Sequence, residues 1–468
     1  MPPLLLRPDG RDAVTTFGVA MRIKLIAPKM SLRPMDSAFK RLMSPPLPLV
    51  MVATLTPKEH EVWIEDENIG KINLDDTPDL VGMTINVDTF ERACAIARHY
   101  RGKGVAVIFG GIHASANPDA MLAHCDSVVV GEAEEIWQGV LSDVAMRRLK
   151  PIYRNTGVTD LKNVPLPDWR FIDRKKYLYH NIIVASRGCP FKCDFCYNSC
   201  AYVSSPFRNR PMEEVLKEVE RFGSRQILFI DDNFIGNLEW ARRFAQVIRG
   251  KGYIWHAAAS ANIVHHEDLI REFAKSGCKS LFIGFESINE ASIRSVDKRQ
   301  NKVKEYEALI STLHEHGIMV NASMVFGFDH DEPSVFSNTL DWLVKNKVET
   351  MTAHILTPYP GTVLYKQLLA ENRITDFSPT RYNTSNVVFQ PKKMTPEELR
   401  NGYLWIYKEF YSCKNIIRRR PDNKALRLPY FLFNFGYRKY GRVVSFFGKR
   451  RLMSVIGRVA RKIAYGVE

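Results

Sequence analysis

Cys189, Cys193 and Cys196 stand as C-x3-C-x2-C in RGCPFKCDFCYNS, directly after the apolar run NIIVASR at 181–187. Three soft thiolates on one short loop suit three irons of a cubane cluster and leave the fourth iron open to a ligand. Cys200, four residues on, keeps a four-cysteine structural zinc site as the alternative. The spacing after a strand favours the open cluster, with Cys200 outside it. The remaining cysteines are Cys94, Cys125, Cys278 and Cys413. A disulfide framework is not expected in so long a chain, whose first 20 residues carry Arg7, Asp9, Arg11 and Asp12 where a secretory signal has an apolar core.

Such a loop needs a scaffold. RIKLIAP (22–28), EVWIED (61–66), DLVGMT (79–84), VAVIFGG (105–111) and DSVVVGE (126–132) read as strands alternating with helical spacing, which makes a parallel sheet flanked by helices. Residues 151–178, with Pro151, Pro165 and Pro167, read as a linker. A second series follows: NIIVASR, QILFIDD (226–232), WHAAAS (255–260), SLFIGFES (280–287), MVNASMVFGF (319–328) and TMTAHILTPYP (350–360), with helices between them, several closed by Gly. Six strand-helix pairs fit a partial barrel, whose chemistry belongs at the strand C-terminal ends. From about residue 394 the pattern turns helical, aromatic and then basic.

With these motifs in place, the chain resembles the cobalamin-binding class of radical S-adenosylmethionine (SAM) enzymes. Its C-x3-C-x-aromatic-C motif is matched by Cys189, Cys193, Phe195 and Cys196, and the resemblance covers about residues 22–400. It implies a 4Fe-4S cluster on the three cysteines, SAM chelated through its amino and carboxylate groups at the open iron, and one-electron cleavage to a 5′-deoxyadenosyl radical. It further implies SAM contacts at Asp231 and Asp232 in FIDDNF and at Glu286 and Ser287 in GFES, an adenine-facing strand at MVFGF, and a sixth-strand signature at TPYPGTVLY. The plainer readings are a helix N-cap for the aspartates, a strand-to-helix turn for GFES and a turn at Pro360–Gly361.

FGGIHASANPDAML and DSVVVGEAEEIW resemble the GG-x-H and GE-x-E segments that surround the corrin, which implies Gly110, Gly111, His113, Gly131 and Glu132 as cobalamin contacts. Gly110 and Gly111 let the ring approach the backbone. His113 is not assigned as a cobalt ligand. The D-x-H-x-x-G signature is absent, DENIG (66–70) standing in its place, so base-off binding without a protein histidine beneath the cobalt is expected. The fold class expected is α/β: a disordered extension (1–20), an N-terminal Rossmann-like cobalamin-binding domain (21–150), a linker (151–178), a partial (β/α)6 radical SAM barrel (179–395) and a helical, aromatic and basic C-terminal region (396–468).

Composition narrows the partners. The 468 residues are 45% hydrophobic and 25% charged, too apolar for disorder and too long for one ordinary domain. No apolar run nears the roughly 20 residues that span a bilayer. From Cys413 to Glu468 fifteen basic residues face two acidic ones, so +13 of the net +15 lies in this tail. The near-neutral body argues against a nucleic-acid face. In RRLMSVIGRVARKIAYG, Leu452, Val455, Ile456, Val459 and Ile463 share one helical face, an amphipathic pattern suited to anionic lipid or to packing on the barrel.

The reaction expected is radical methylation of an unactivated carbon in a hydrophobic small molecule, lipid or tetrapyrrole-like. Hydrogen abstraction needs no acidic C–H, so no catalytic acid or base is named. A radical cyclase or rearranging oxidoreductase with the same cofactors is the alternative. A tRNA methylthiotransferase-like enzyme is a third; it needs three further amino-terminal cluster cysteines, where this chain has Cys94 and Cys125. Expected partners are a flavodoxin or ferredoxin as electron donor and a membrane surface met by the tail, in a cytoplasmic and membrane-peripheral setting.

Overall fold

The computed structural model describes residues 20–34, 36, 38–439 and 459. Residues 1–19 of the extension expected at 1–20 and, Val459 apart, the amphipathic segment of the tail lie outside the described residues. The first sheet is built from β1 (Arg22–Ala27), β2 (Glu61–Asp66), β3 (Leu80–Thr84), β4 (Ala106–Gly110), β5 (Ser127–Val130) and β6 (Ile152–Arg154), all parallel, in the order β2-β1-β3-β4-β5-β6. The strand order reverses between β1 and β3, the switch point where doubly wound sheets open a ligand crevice. Both faces are covered, which is why β5 reads SVVV and is buried throughout. Ile26, Val81, Met83 and Phe109 pack beneath helix Phe90–Gly102, and Leu25, Ile108 and Val129 beneath helices Leu47–Leu55 and Trp137–Ala145. β6 corrects the reading of 151–178 as linker: Val128 pairs with Ile152 and Val130 with Arg154, so this segment starts as a sixth strand.

The second sheet holds β7 (Ile182–Ile183), β10 (Gln226–Phe229), β11 (Ile254–Ala259), β12 (Cys278–Glu286), β13 (Met319–Phe326) and β14 (Thr350–Ile355), parallel in the order β14-β13-β12-β11-β10-β7. All six overlap the six runs read as strands from the sequence, β11 starting one residue and β12 two residues earlier than read. β8 (Ser186–Arg187) and β9 (Arg208–Asn209) form a separate antiparallel hairpin that brackets the cysteine loop. A continuous core joins strand residues such as Phe229, Trp255, Leu281 and Val320 to the amphipathic faces of helices Met212–Arg221, Leu238–Ile248, Glu267–Lys275 and Tyr306–Glu315.

The open edge at β14 is closed by side chains. Helix Pro396–Phe410 starts at a capping box between Thr395 and Glu398. It sets the Tyr407 hydroxyl between the Ala353 amide (2.9 Å) and carbonyl (3.1 Å), while the Tyr411 hydroxyl does the same at Met351 (3.2 and 2.8 Å). Edge strands left bare invite pairing with other chains. Tyr407→Phe strips the buried Ala353 amide of its partner and leaves the carbonyl only a long contact from Arg33 (3.5 Å), and is expected to destabilise the chain by about 1–3 kcal/mol. Urea unfolding checks it: an unchanged midpoint would show that the hydroxyl is dispensable.

Candidate active site

The cysteine loop is held at both ends. Gly188 precedes Cys189 at φ 77, and a Cβ there would stand 2.8 Å from the carbonyl oxygens of Ser205 and Pro206, so only glycine fits. Further on, Asp194 N donates to Val296 O (3.1 Å) and Leu364 N to Asp194 O (3.0 Å). Burial pushes up the Cys189 and Cys193 thiols and carries Cys196 to about 12, and the charges of the neighbouring cysteines add to the shift at Cys189 and Cys196. The three sulfurs therefore share one low-dielectric neighbourhood, where a thiolate needs cationic compensation such as iron.

Among the described residues no three Cys, His, Asp or Glu side chains converge as they would on a single ion. A cubane attaches each thiolate to a different iron, so the donor set suits it. Cys200 turns the other way, buried with its sulfur 3.9 Å from Ala116 O, which removes the fourth ligand of a zinc site.

A buried polar chain backs this loop. Gln300 Nε2 donates to Cys193 Sγ at 3.5 Å. Lys298 Nζ lies 2.8 Å from Glu286 Oε1 and 5.8 Å from the centroid of Phe195, and Ser323 Oγ donates to Glu286 Oε2 at 3.1 Å. Burial opposes the Lys298 charge, but Glu286 and Cys193 outweigh it and raise its pKa. Glu286 sits at φ 64, left-handed for a non-glycine residue, where β12 slips register against β13. Such strain persists where surrounding contacts over-determine it. Ser287 is buried and accepts from Asn289 N (3.0 Å), so it serves the turn.

The aspartate pair divides its roles. Asp231, pushed up to about 6 by burial, accepts from Ala185 N (3.1 Å) and from the Ser186 hydroxyl, tying β10 to the strand that leads into the loop. Asp232 is exposed and close enough to Cys189 and Cys196 to act on their charge. Neither caps a helix; Asn237 takes that place, accepting from Trp240 N at 3.0 Å. Phe195 meets Phe328 edge-on at 6.3 Å. Lys298, Gln300 and Ser323 were not singled out from the sequence. The only trace of Lys298 there is its position twelve residues beyond Glu286, and spacing alone does not mark it.

The C-terminal ends of β3, β4 and β5 border an apolar cleft lined by Thr84, Gly110, Gly111, Gly131 and Glu132, with helix Leu47–Leu55 on one side and Val184 and Arg187, which lead into the cysteine loop, on the other. Gly111 adopts φ 92, and a Cβ there would meet Thr84 Oγ1 at 2.7 Å. Gly131, also at positive φ (81), has open space where a Cβ would stand, so the backbone is bare there, which fits a flat macrocycle laid on it. Gly111→Val is expected to reduce corrinoid uptake at least about tenfold, through the forbidden φ and the clash. Corrinoid absorbance per chain after reconstitution checks it, and wild-type loading would refute it.

His113 does not line the cleft. It is buried edge-on to Phe90 with ring centroids 5.5 Å apart, its Nδ1 has no hydrogen-bond partner, and burial lowers its pKa to about 4. In DENIG, Asp66 accepts from Asn68 Nδ2 and from the Tyr177 hydroxyl, both at 2.8 Å, so this segment is engaged in structure and offers no imidazole. Glu132 borders the cleft while its carboxylate faces two arginines of the hairpin: Arg208 (2.7 and 3.1 Å) and Arg187 (3.5 Å). Beyond β14, Tyr359 of TPYPGT stacks on Tyr197 at 4.8 Å; the Tyr197 hydroxyl is buried without a partner, beside a small apolar group of Val87, Tyr382 and Val388.

Three family models match the chain: the radical SAM superfamily over residues 183–343, the B12 binding domain over 43–141, and a domain of unknown function, DUF4070, over 362–426. The bacteriochlorophyllide d C-12(1)-methyltransferase of Chlorobaculum tepidum is 31% identical over 414 residues, 86% of this chain and 90% of that protein. The bacteriochlorophyllide d C-8(2)-methyltransferase of the same organism is 26% identical over 394 residues, 80% and 87% of the two chains. The structure of the radical SAM methyltransferase TsrM from Kitasatospora setae, solved with cobalamin and a 4Fe-4S cluster, superimposes with a TM-score of 0.65, covering 95% of this chain and all of that one; at 15% identity this bears on the fold alone. Two parallel sheets, a three-cysteine loop, a glycine-rimmed cleft and relatives matched over most of their length lead to one conclusion: the chain belongs to the cobalamin-dependent radical SAM methyltransferases.

Proposed function

We propose that this enzyme methylates an unactivated carbon of a hydrophobic, tetrapyrrole-like small molecule. The observation that carries this reading is the 31% identity over 86% of the chain to a methyltransferase named for bacteriochlorophyllide d. When bound, the cluster with SAM supplies a carbon-centred radical and cobalamin supplies the methyl group. Cys189, Cys193 and Cys196 each hold one iron, and Phe195 walls the loop from solvent. Asp232 and Glu286 are the carboxylates available to SAM, Glu286 held in place by Lys298 and Ser323. Asp231 and Ser287 act one step back, fixing the strand ends that carry these groups. Gly110, Gly111, Gly131 and Glu132 border the corrin, and His113 supports their loop from behind. Tyr197 and Tyr359 give the substrate a flat, water-poor wall.

A flavodoxin or ferredoxin supplies electrons in this reading, and the setting is cytoplasmic and membrane-peripheral. Among the described residues no helix is long and apolar enough to cross a membrane. Helix Lys424–Lys439 instead turns Leu428, Leu432 and Phe433 outward, each more than 40% exposed, at the start of the basic tail. Basic residues near an anionic bilayer contribute about 1 kcal/mol each.

The test is anaerobic turnover of bacteriochlorophyllide d with methyl-deuterated SAM, cobalamin and a reductant. A product in which one trideuteromethyl group replaces one hydrogen is the expected result; a product that has lost hydrogens and gained no label would assign cyclisation instead. Cosedimentation with phosphatidylserine vesicles at low salt tests the membrane surface. A chain ending near residue 412 should stay in the supernatant while the full chain pellets, and equal recovery of both in the supernatant would reject it.

A further inference from the structure

We propose that Glu132, Glu134, Arg187 and Arg208 form a clasp that fixes the spacing between the corrin cradle and the cluster loop. β8 and β9 are two residues each, and their register places Arg187 directly opposite Arg208. So short a ladder is marginal by itself, and like charges directly opposed on one face weaken it further. The missing countercharge comes from the other sheet. Arg208 lays its fork on Glu132 at 2.7 and 3.1 Å, Arg187 lies 3.5 Å from the same carboxylate, and a second nitrogen of Arg187 donates to Glu134. Fork-on-carboxylate pairing fixes direction as well as distance. Although burial opposes it, the Arg208 hydrogen bond and the Arg187 charge hold the Glu132 carboxyl below its usual range.

The position of these four residues gives the clasp its meaning. Glu132 immediately follows Gly131 at the rim of the cleft, and Arg187 is separated from Cys189 by Gly188 alone. Arg208 also donates to Thr159 O at 2.8 Å, which draws in the segment joining the two sheets. A shift of either sheet would therefore move cradle and loop together. The clasp acts through those neighbours, so its members are positioning residues. The inference rests on the reading of cleft and loop as the two cofactor sites.

The spacing is measurable because reduced cluster and cob(II)alamin each carry an unpaired electron. Pulsed electron paramagnetic resonance on the loaded wild-type enzyme should give one narrow distance distribution. Glu132→Gln combined with Glu134→Gln should broaden it, and Arg208→Lys, which keeps the charge but loses the fork, should broaden it by less. A double variant as narrow as wild type would overturn the clasp.

Amide exchange of residues 186–209 in the cofactor-free chain decides the matter where a variant takes up too little cofactor. About tenfold faster exchange confined to that hairpin supports the clasp, in keeping with the loss of a charge-assisted bond; unchanged exchange overturns it. Wild-type enzyme that binds only one of the two cofactors would strike the cofactor reading instead, and the exchange comparison would still decide the clasp.

Discussion

Cys193→Ala is expected to reduce SAM cleavage to background and to strip most of the iron, whereas Cys200→Ala should keep both near wild type. The two residues are seven apart and both buried, but they serve different neighbours. Cys193 accepts from Gln300 and acts on the charge of Cys189 and Cys196. Cys200 faces the Ala116 carbonyl and packs where a Cβ on Gly361 would approach its sulfur to 3.0 Å. With one of three thiolates gone, a cubane loses an iron ligand that no nearby Cys can replace. Iron per chain, the cluster's visible absorbance and 5′-deoxyadenosine formed under dithionite together read the outcome. Loss of the cluster in Cys200→Ala with Cys189→Ala harmless would overturn the assignment.

Lys298→Met is the second large effect, expected to cost about 3–5 kcal/mol of stability in the cofactor-free chain. Lys298 and Glu286 are 8% and 7% exposed, so the substitution leaves a carboxylate buried and unpaired on a strained residue. Adding Glu286→Gln removes that charge while keeping a group for Ser323, and the double variant should recover most of the loss, because a buried ion pair is often replaceable as a pair. Urea unfolding of wild type, both single variants and the double variant closes the cycle. A Lys298→Met chain within about 1 kcal/mol of wild type would mean that water reaches the pair.

Much of this architecture was legible in the sequence because parallel strands with one face or both faces buried read as short apolar runs between helical spacings. QILF, SLFIGFE and MVNASMVF could be placed in order, and the cysteine triplet is visible as a spacing in one short run. β6 was missed because three residues between Pro151 and Asn155 leave no periodicity to see. The ion pairs escaped for a different reason. Glu132 and Arg208 are 76 positions apart, and nothing local in GE-x-E announces that its carboxylates face arginines of the β8–β9 hairpin. The DD pair looked symmetrical in sequence, yet backbone donors at Ala185 engage Asp231 and leave Asp232 exposed. Strand ends are readable one at a time, whereas their mutual pairing is a property of the closed fold.

The most direct test of the whole reading is a single anaerobic reconstitution with iron, sulfide and cobalamin, followed by dithionite and SAM. One four-iron cluster and one corrinoid per chain, with 5′-deoxyadenosine accumulating only in reduced samples, is the expected result. A chain that fills its cluster yet takes up no corrinoid, or that holds both and never cleaves SAM, would contradict it.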